Sequence, residues 1–159
     1  MRENGADITG WLNDIVAAWE DFHASYAGLS DQQMQEPAVC GDWSVRDVLA
    51  HVAVWDGECL DVLPSIAAGR DEQTDDEREG IDAFNARKTE ELRGMPLGDV
   101  RELLDDSHRQ LLDYVHGLAP ESITAENEEA FRERLASDTW NHYPEHAAAI
   151  RAFREARGW

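Results

Sequence analysis

The chain has 159 residues, 42% hydrophobic and 30% charged, which suits one domain, residues 1–159, with enough apolar material for a core. Its 14 lysines and arginines face 34 aspartates and glutamates, a formal net charge of −20. So acidic a surface repels phosphate backbones and anionic lipid, which argues against nucleic acid and membranes as partners. No apolar run approaches the roughly 18 residues of a membrane span, and no leader pattern follows Met1, so a soluble, cytoplasmic protein is expected. Cys40 and Cys59 make neither a disulfide framework nor a CxxC pair.

Residues 7–27 carry Ile8, Trp11, Leu12, Ile15, Val16, Trp19, Phe22 and Tyr26. Spacings of three and four predict an amphipathic helix, closed by Gly28. Residues 29–43 are polar, with Pro37 and Gly41, and read as a connection holding at most a turn of helix. Ser44 is an N-cap with Asp47 in the capping-box position, and it opens a helix to about Ala67. Gly69 to Glu79 is nearly all polar and reads as a loop or a frayed helix start. A charged helix follows from about Glu77 to Arg93, with Ile81, Phe84 and Leu92 as a thin apolar edge.

Gly94 and Pro96 punctuate the chain before a helix from Leu97 to His116, which Gly117 and Pro120 end. Residues 121–130 read as acidic and irregular. The last helix is expected over Phe131 to Ala156, in one piece or in two joined near Ser137. Pro144 lies within it, and either kinks the helix or sits in the first turn of a fresh one. Period-2 alternation is absent. The pattern predicts an all-α fold: a four-helix bundle with an additional short helix between the second and third core helices.

The chemistry concentrates in Asn141-His142-Tyr143-Pro144-Glu145-His146. Histidines four apart share a helix face, about 40° from one another, and two imidazoles on adjacent turns can grip a metal ion. A third ligand must come from elsewhere. The candidate is His51, at the edge of the apolar stripe of the second helix. Three protein ligands with an open position form the catalytic arrangement of a metal site, not the structural one. Against this stands the ordinary reading, in which core histidines are hydrogen-bonded packing residues.

Asp47 and Asp138 each precede a candidate ligand by one turn. Either orients an imidazole, or Asp47 caps its helix and Asp138 meets a helix dipole. Glu58 is a candidate ligand or base, or else a solvated surface acid. Trp43, Trp55 and Trp140 are packing residues or walls of an apolar pocket. Cys59 reads as core rather than as a reactive thiol. His23, His108 and His116 have no partner at ligand spacing. No residue is singled out as directly catalytic.

Two stretches together resemble the DinB/YfiT-like superfamily of four-helix-bundle proteins. Trp43-Ser44-Val45-Arg46-Asp47-Val48-Leu49-Ala50-His51-Val52-Ala53-Val54-Trp55-Asp56 is similar to its second-helix signature, and His142-Tyr143-Pro144-Glu145-His146 to its last-helix HxxxH segment. Asp82-Ala83-Phe84-Asn85 resembles the ClbS/DfsB-like branch. The resemblance covers about residues 8–156. It implies His51, His142 and His146 as ligands of a divalent nickel, zinc or iron ion. It further implies a thiol S-transferase or hydrolase acting on a small electrophilic molecule, with a low-molecular-weight thiol as cosubstrate and a homodimer as the assembly. The alternative it carries is a non-enzymatic small-molecule binding or self-resistance protein of the ClbS/DfsB-like kind, without bound metal. Pro144 is the departure from the family pattern.

Overall fold

The computed structural model describes residues 5–159; the first four residues of the expected 1–159 domain lie outside it. All regular structure among the described residues is helical apart from one isolated bridge, Cys40 to Trp43. The elements are α1 (Ile8–Tyr26), α2 (Asp31–Met34), α3 (Val45–Ala67), α4 (Asp75–Glu79), α5 (Ile81–Leu92) and α6 (Leu97–His116). A 3-10 turn (Pro120–Ser122) then leads to α7 (Glu128–Asp138) and α8 (Tyr143–Arg157).

Four long helices make the bundle. α3 packs chiefly on α6 and α1 chiefly on α8, and α7 covers the far part of α3. Each presents an apolar stripe: Ile15 and Phe22 of α1, Val48, Val52 and Leu63 of α3, Leu104 and Leu111 of α6, and Ile150 and Phe153 of α8 are all buried. Burying such side chains contributes about 1.5–3 kcal/mol each before chain entropy is charged against it. The α3 start is capped as its sequence requires, with the Ser44 hydroxyl accepting from the Asp47 N–H and the Asp47 carboxylate accepting from the Ser44 N–H.

The expected charged helix over 77–93 is divided. Gly80 takes φ 86°, a backbone value that side-chain-bearing residues rarely adopt, and so separates α4 from α5. Of its expected apolar edge, Phe84 is fully buried, whereas Ile81 is 59% exposed. Buried Arg46 fastens the end of α5 to α3 through a bond from Nε to the Met95 carbonyl, 3.1 Å.

The last helix is also two helices, and the first starts earlier than expected. α7 opens at Glu128, inside the stretch read as irregular, with Glu128 and Glu129 in its first turn where carboxylates favour the helix dipole. It stops at Asp138. α8 begins at Tyr143 with Pro144 in its first turn, where the missing N–H costs nothing. Of the two outcomes open for Pro144, the fresh start is the one observed.

Candidate metal centre

Three histidines meet at one mouth of the bundle. His51 lies in α3, seven positions beyond its N-cap. His142 is the residue just before α8, and His146 stands in the first turn of that helix. His142 Nε2 is 3.0 Å from His51 Nε2 and 2.9 Å from His146 Nε2. One ring nitrogen from each lies within 4.8 Å of the others, a group of metal-ligating atoms. Nitrogens bonded to a shared ion at about 2.0–2.1 Å sit no more than about 4.2 Å apart, and both measured separations are inside that limit.

Charge and hydrogen bonding fit a cation between the rings. Burial, then the neighbouring imidazoles, push His51 down to about 2. Burial and His146 push His142 down to about 3, and burial alone pushes His146 down to about 4. All three rings are therefore neutral near pH 7, with lone pairs available. A neutral imidazole Nε2 is either one donor or one acceptor, so His142 Nε2 satisfies only one of its two close neighbours by a hydrogen bond. A cation accepts all three lone pairs at once. Nδ1 of His142 is buried without a formed hydrogen bond, yet the Asp138 carbonyl is close enough to favour the protonated ring. An outward N–H near a backbone carbonyl is the usual support of a ligating histidine.

The rings face a cleft of about 520 Å3, lined among others by Trp43, Trp55, Ile81, Asn85, Arg134, Asp138 and Glu145. Trp43 lies 4.9 Å from the His51 ring, and Trp55 lies 6.4 Å from both His51 and His142. Trp55 Nε1 donates to Asn85 Oδ1 at 2.9 Å, so the wall is held by a residue of the Asp82–Asn85 segment. Among the described residues, Arg134 is the one cation lining the cleft. Its Nε donates to Asp138 at 2.6 Å, and its Nη1 lies 3.5 Å from Asp76. Burial pushes the Asp138 carboxyl up to about 7, against the pull of Arg134.

The remaining candidates divide. Asp47 caps α3 and pairs with Arg46 at 2.8 Å; its carboxylate orients no ligand. The Asp138 carboxylate binds Arg134, not an imidazole, and it closes α7 instead of opening a helix. Glu58 does not line the cleft; burial raises its carboxyl beside Asp61, Asp75 and Asp76. Trp140 packs on the core, away from the cleft. Cys59 is wholly buried, and that burial pushes its thiol well above the ordinary range, which suits core packing and not nucleophilic attack.

The sequence reading missed His108. It is buried in α6 with its ring stacked on Trp19 of α1, centroids 3.6 Å apart. Its Nδ1 is 3.2 Å from the Tyr143 hydroxyl, which donates to Asp56 Oδ1 at 2.7 Å. Asp56 itself is completely buried. The available signal was a carboxylate at a core position of α3, four residues after Val52 and seven before Leu63.

The family model for the mycothiol maleylpyruvate isomerase N-terminal domain matches residues 15–145. The chain belongs to this family. It is thereby a member of the DinB-like superfamily, as the two signature stretches implied. A Bacillus licheniformis protein named "Putative metal-dependent hydrolase" is 27% identical over 174 residues, covering 100% of this chain and 92% of that one. Among solved structures, one titled "Sibling Lethal Factor Precursor - DfsB" aligns with TM-score 0.75 at 14% identity, covering 99% of this chain and 98% of its own. An uncharacterised Escherichia coli UTI89 protein aligns with TM-score 0.75 at 11% identity, with the same coverages. A Streptococcus pneumoniae protein aligns with TM-score 0.74 at 13% identity, over 98% and 92%. At these identities the likeness establishes the fold.

Proposed function

We propose that this protein is a divalent-metal-dependent enzyme that acts on a small electrophilic molecule, by hydrolysis or by transfer of a low-molecular-weight thiol. His51, His142 and His146 hold the ion. The observation that carries this reading is the pair of Nε2 separations, 3.0 and 2.9 Å, among three rings that burial keeps neutral. The name of the Bacillus relative and the family of the domain support it.

The ion supplies Lewis acidity, which polarises an electrophile and favours the ionised form of a nucleophile. The chain's own residues do the rest. Trp43 and Trp55 give the cleft two apolar walls that bind a small organic body and exclude water. Arg134, fixed by Asp138 and Asp76, places one cation at the side of the cleft. The carboxyl groups of Asp76, Asp138 and Glu145 outnumber the cation Arg134, so even with Asp138 raised to about 7 the mouth keeps a net negative character that draws a cation in.

Elemental analysis of untagged protein tests the reading. Wild type is expected to carry a stoichiometric first-row metal and His51→Ala to lose it. Trace metal in the wild type, or an unchanged content in the variant, refutes it. The choice between thiol transfer and hydrolysis is then made by assaying loss of an electrophile such as a nitrophenyl ester with and without added thiol.

A further inference from the structure

The two helices that carry the three histidines barely touch. α3 is packed on α6 and α7, and α8 on α1. Apolar packing alone therefore leaves the register of α8 against α3 weakly determined, although His51 and His142 must meet to within a fraction of an ångström. Apart from the histidine pair itself, one side-chain hydrogen bond joins these two helices among the described residues. It runs from the Tyr143 hydroxyl to Asp56 Oδ1, 2.7 Å.

Its setting is built for rigidity. Tyr143 adjoins His142 in the chain, and Asp56 lies five residues after His51 in α3. Tyr143 and Asp56 are both completely buried. His108 Nδ1 reaches the same hydroxyl at 3.2 Å and lies 3.6 Å from Asp56 Oδ2. Trp19 closes the cluster, parallel to the His108 ring within 4°. All four bundle helices contribute one side chain. A carboxylate buried this deeply is a poor source of stability, since a well-packed leucine in its place is often as good or better. What such a group supplies is a directional contact that only one register satisfies.

We propose that Asp56, Tyr143 and His108 are positioning residues that set the spacing of the three histidines by locking α8 to α3. They touch neither the ion nor a substrate. The contacts run in series: the Tyr143 hydroxyl donates to Asp56, and His108 Nδ1 approaches the same phenol oxygen at 3.2 Å. The phenol is then held from two sides, and the backbone before it, bearing His142, is held at one height along α3. The idea rests on the metal-site reading for its functional meaning, but the geometric claim stands without it.

Zinc affinity, measured by competition with a chromophoric chelator, and cobalt(II) absorption are the readouts. Tyr143→Phe keeps the ring and removes the hydroxyl. It is expected to bind zinc 10–100-fold more weakly, as losses of supporting contacts around a metal site do, and to alter the cobalt spectrum. Asp56→Asn keeps an oxygen for Tyr143 and is expected to retain the wild-type affinity. Should Tyr143→Phe not fold, Asp56→Ala, which removes the acceptor and keeps the phenol, carries the comparison. A Tyr143→Phe protein of lower melting temperature but wild-type zinc affinity and cobalt spectrum overturns the proposal. A wild type that takes up no zinc refutes the proposed function instead. The tie is then decided by crystal structures: the separation of His51 and His142 Nε2 widens in Tyr143→Phe if the tie sets it, and an unchanged separation overturns it.

Discussion

His146 offers the cleanest titration in the molecule. Its pKa is lowered from 6.5 to about 4 by burial alone, whereas His51 and His142 also feel other imidazoles. In metal-free protein the unfolded chain therefore binds a proton at this residue between pH 6.5 and about 4 that the folded chain does not. Stability is present above 6.5 and is lost as pH falls through that window. From pH 6.5 to 5.5 the loss at His146 amounts to about 1 kcal/mol. Asp138, raised to about 7, works in the opposite sense, because its folded carboxyl holds the proton and gains stability as pH falls. Comparison with His146→Gln, which cannot titrate, cancels that contribution. Removing His146 also lifts a like-charge penalty from His51 and His142, but both start near 2 and 3 and remain neutral at pH 5.5. The assay is urea unfolding followed by tryptophan fluorescence, with chelator present, at the two pH values. The drop in unfolding free energy should be about 1 kcal/mol smaller in the variant. Equal drops in the two proteins would show that His146 is already solvated and charged, and that the neutral three-ring cluster is wrong.

Other consequences are quicker to check. Gly80→Ala places a side chain at φ 86° and should lower unfolding stability by about 1 kcal/mol or more; no change would mean that the α4–α5 junction relaxes freely. Ser44→Ala removes the cap of the helix that carries His51 and should cost about 0.5–2 kcal/mol in the same measurement. A thiol reagent should modify exposed Cys40 quickly and buried Cys59 only on unfolding, so two equally fast thiols would contradict the core.

The elements most legible in the sequence were those whose stability comes from a single long apolar stripe. α1, α3 and α6 fall close to the predicted limits because Trp11, Ile15 and Phe22, or Val48, Val52 and Leu63, repeat at helical spacing and close one face. The end of α4 was read as running into α5 because the charges continue across Gly80, and no periodic signal reports the backbone angle of a glycine; the start of α4 fell in the polar stretch read as a loop or a frayed helix start. α7 begins before the expected Phe131 because Glu128 and Glu129 stabilise a start that no large apolar residue announces. The His51 and HxxxH constellation was visible because two of its members stand four residues apart in the sequence. The Asp56–Tyr143–His108 cluster was not, because its members lie 35 to 87 positions apart and meet only through the packing of four helices.

The division between α7 and α8 also decides which residues share a helix face with the histidines. A single uninterrupted helix would align Leu135, His142, His146 and Phe153 on one wheel, but the turn at residues 139–142 breaks that alignment. Leu135 therefore says nothing about where the histidines point. The spacing of His142 and His146 survives because both lie at or beyond the restart, with the His146 N–H meeting the His142 carbonyl at 3.4 Å. Pro144 protects the arrangement instead of spoiling it. An interior proline would clash with the Trp140 carbonyl and bend the helix between the two ligands. In the first turn its fixed φ suits the helix start, and the chain before it is free to turn. That turn brings His142 to the mouth of the bundle and drops Tyr143 into the core. One position thus separates a residue facing the cleft from a residue anchored behind it, which is why the tyrosine hydroxyl can govern where the neighbouring imidazole stands.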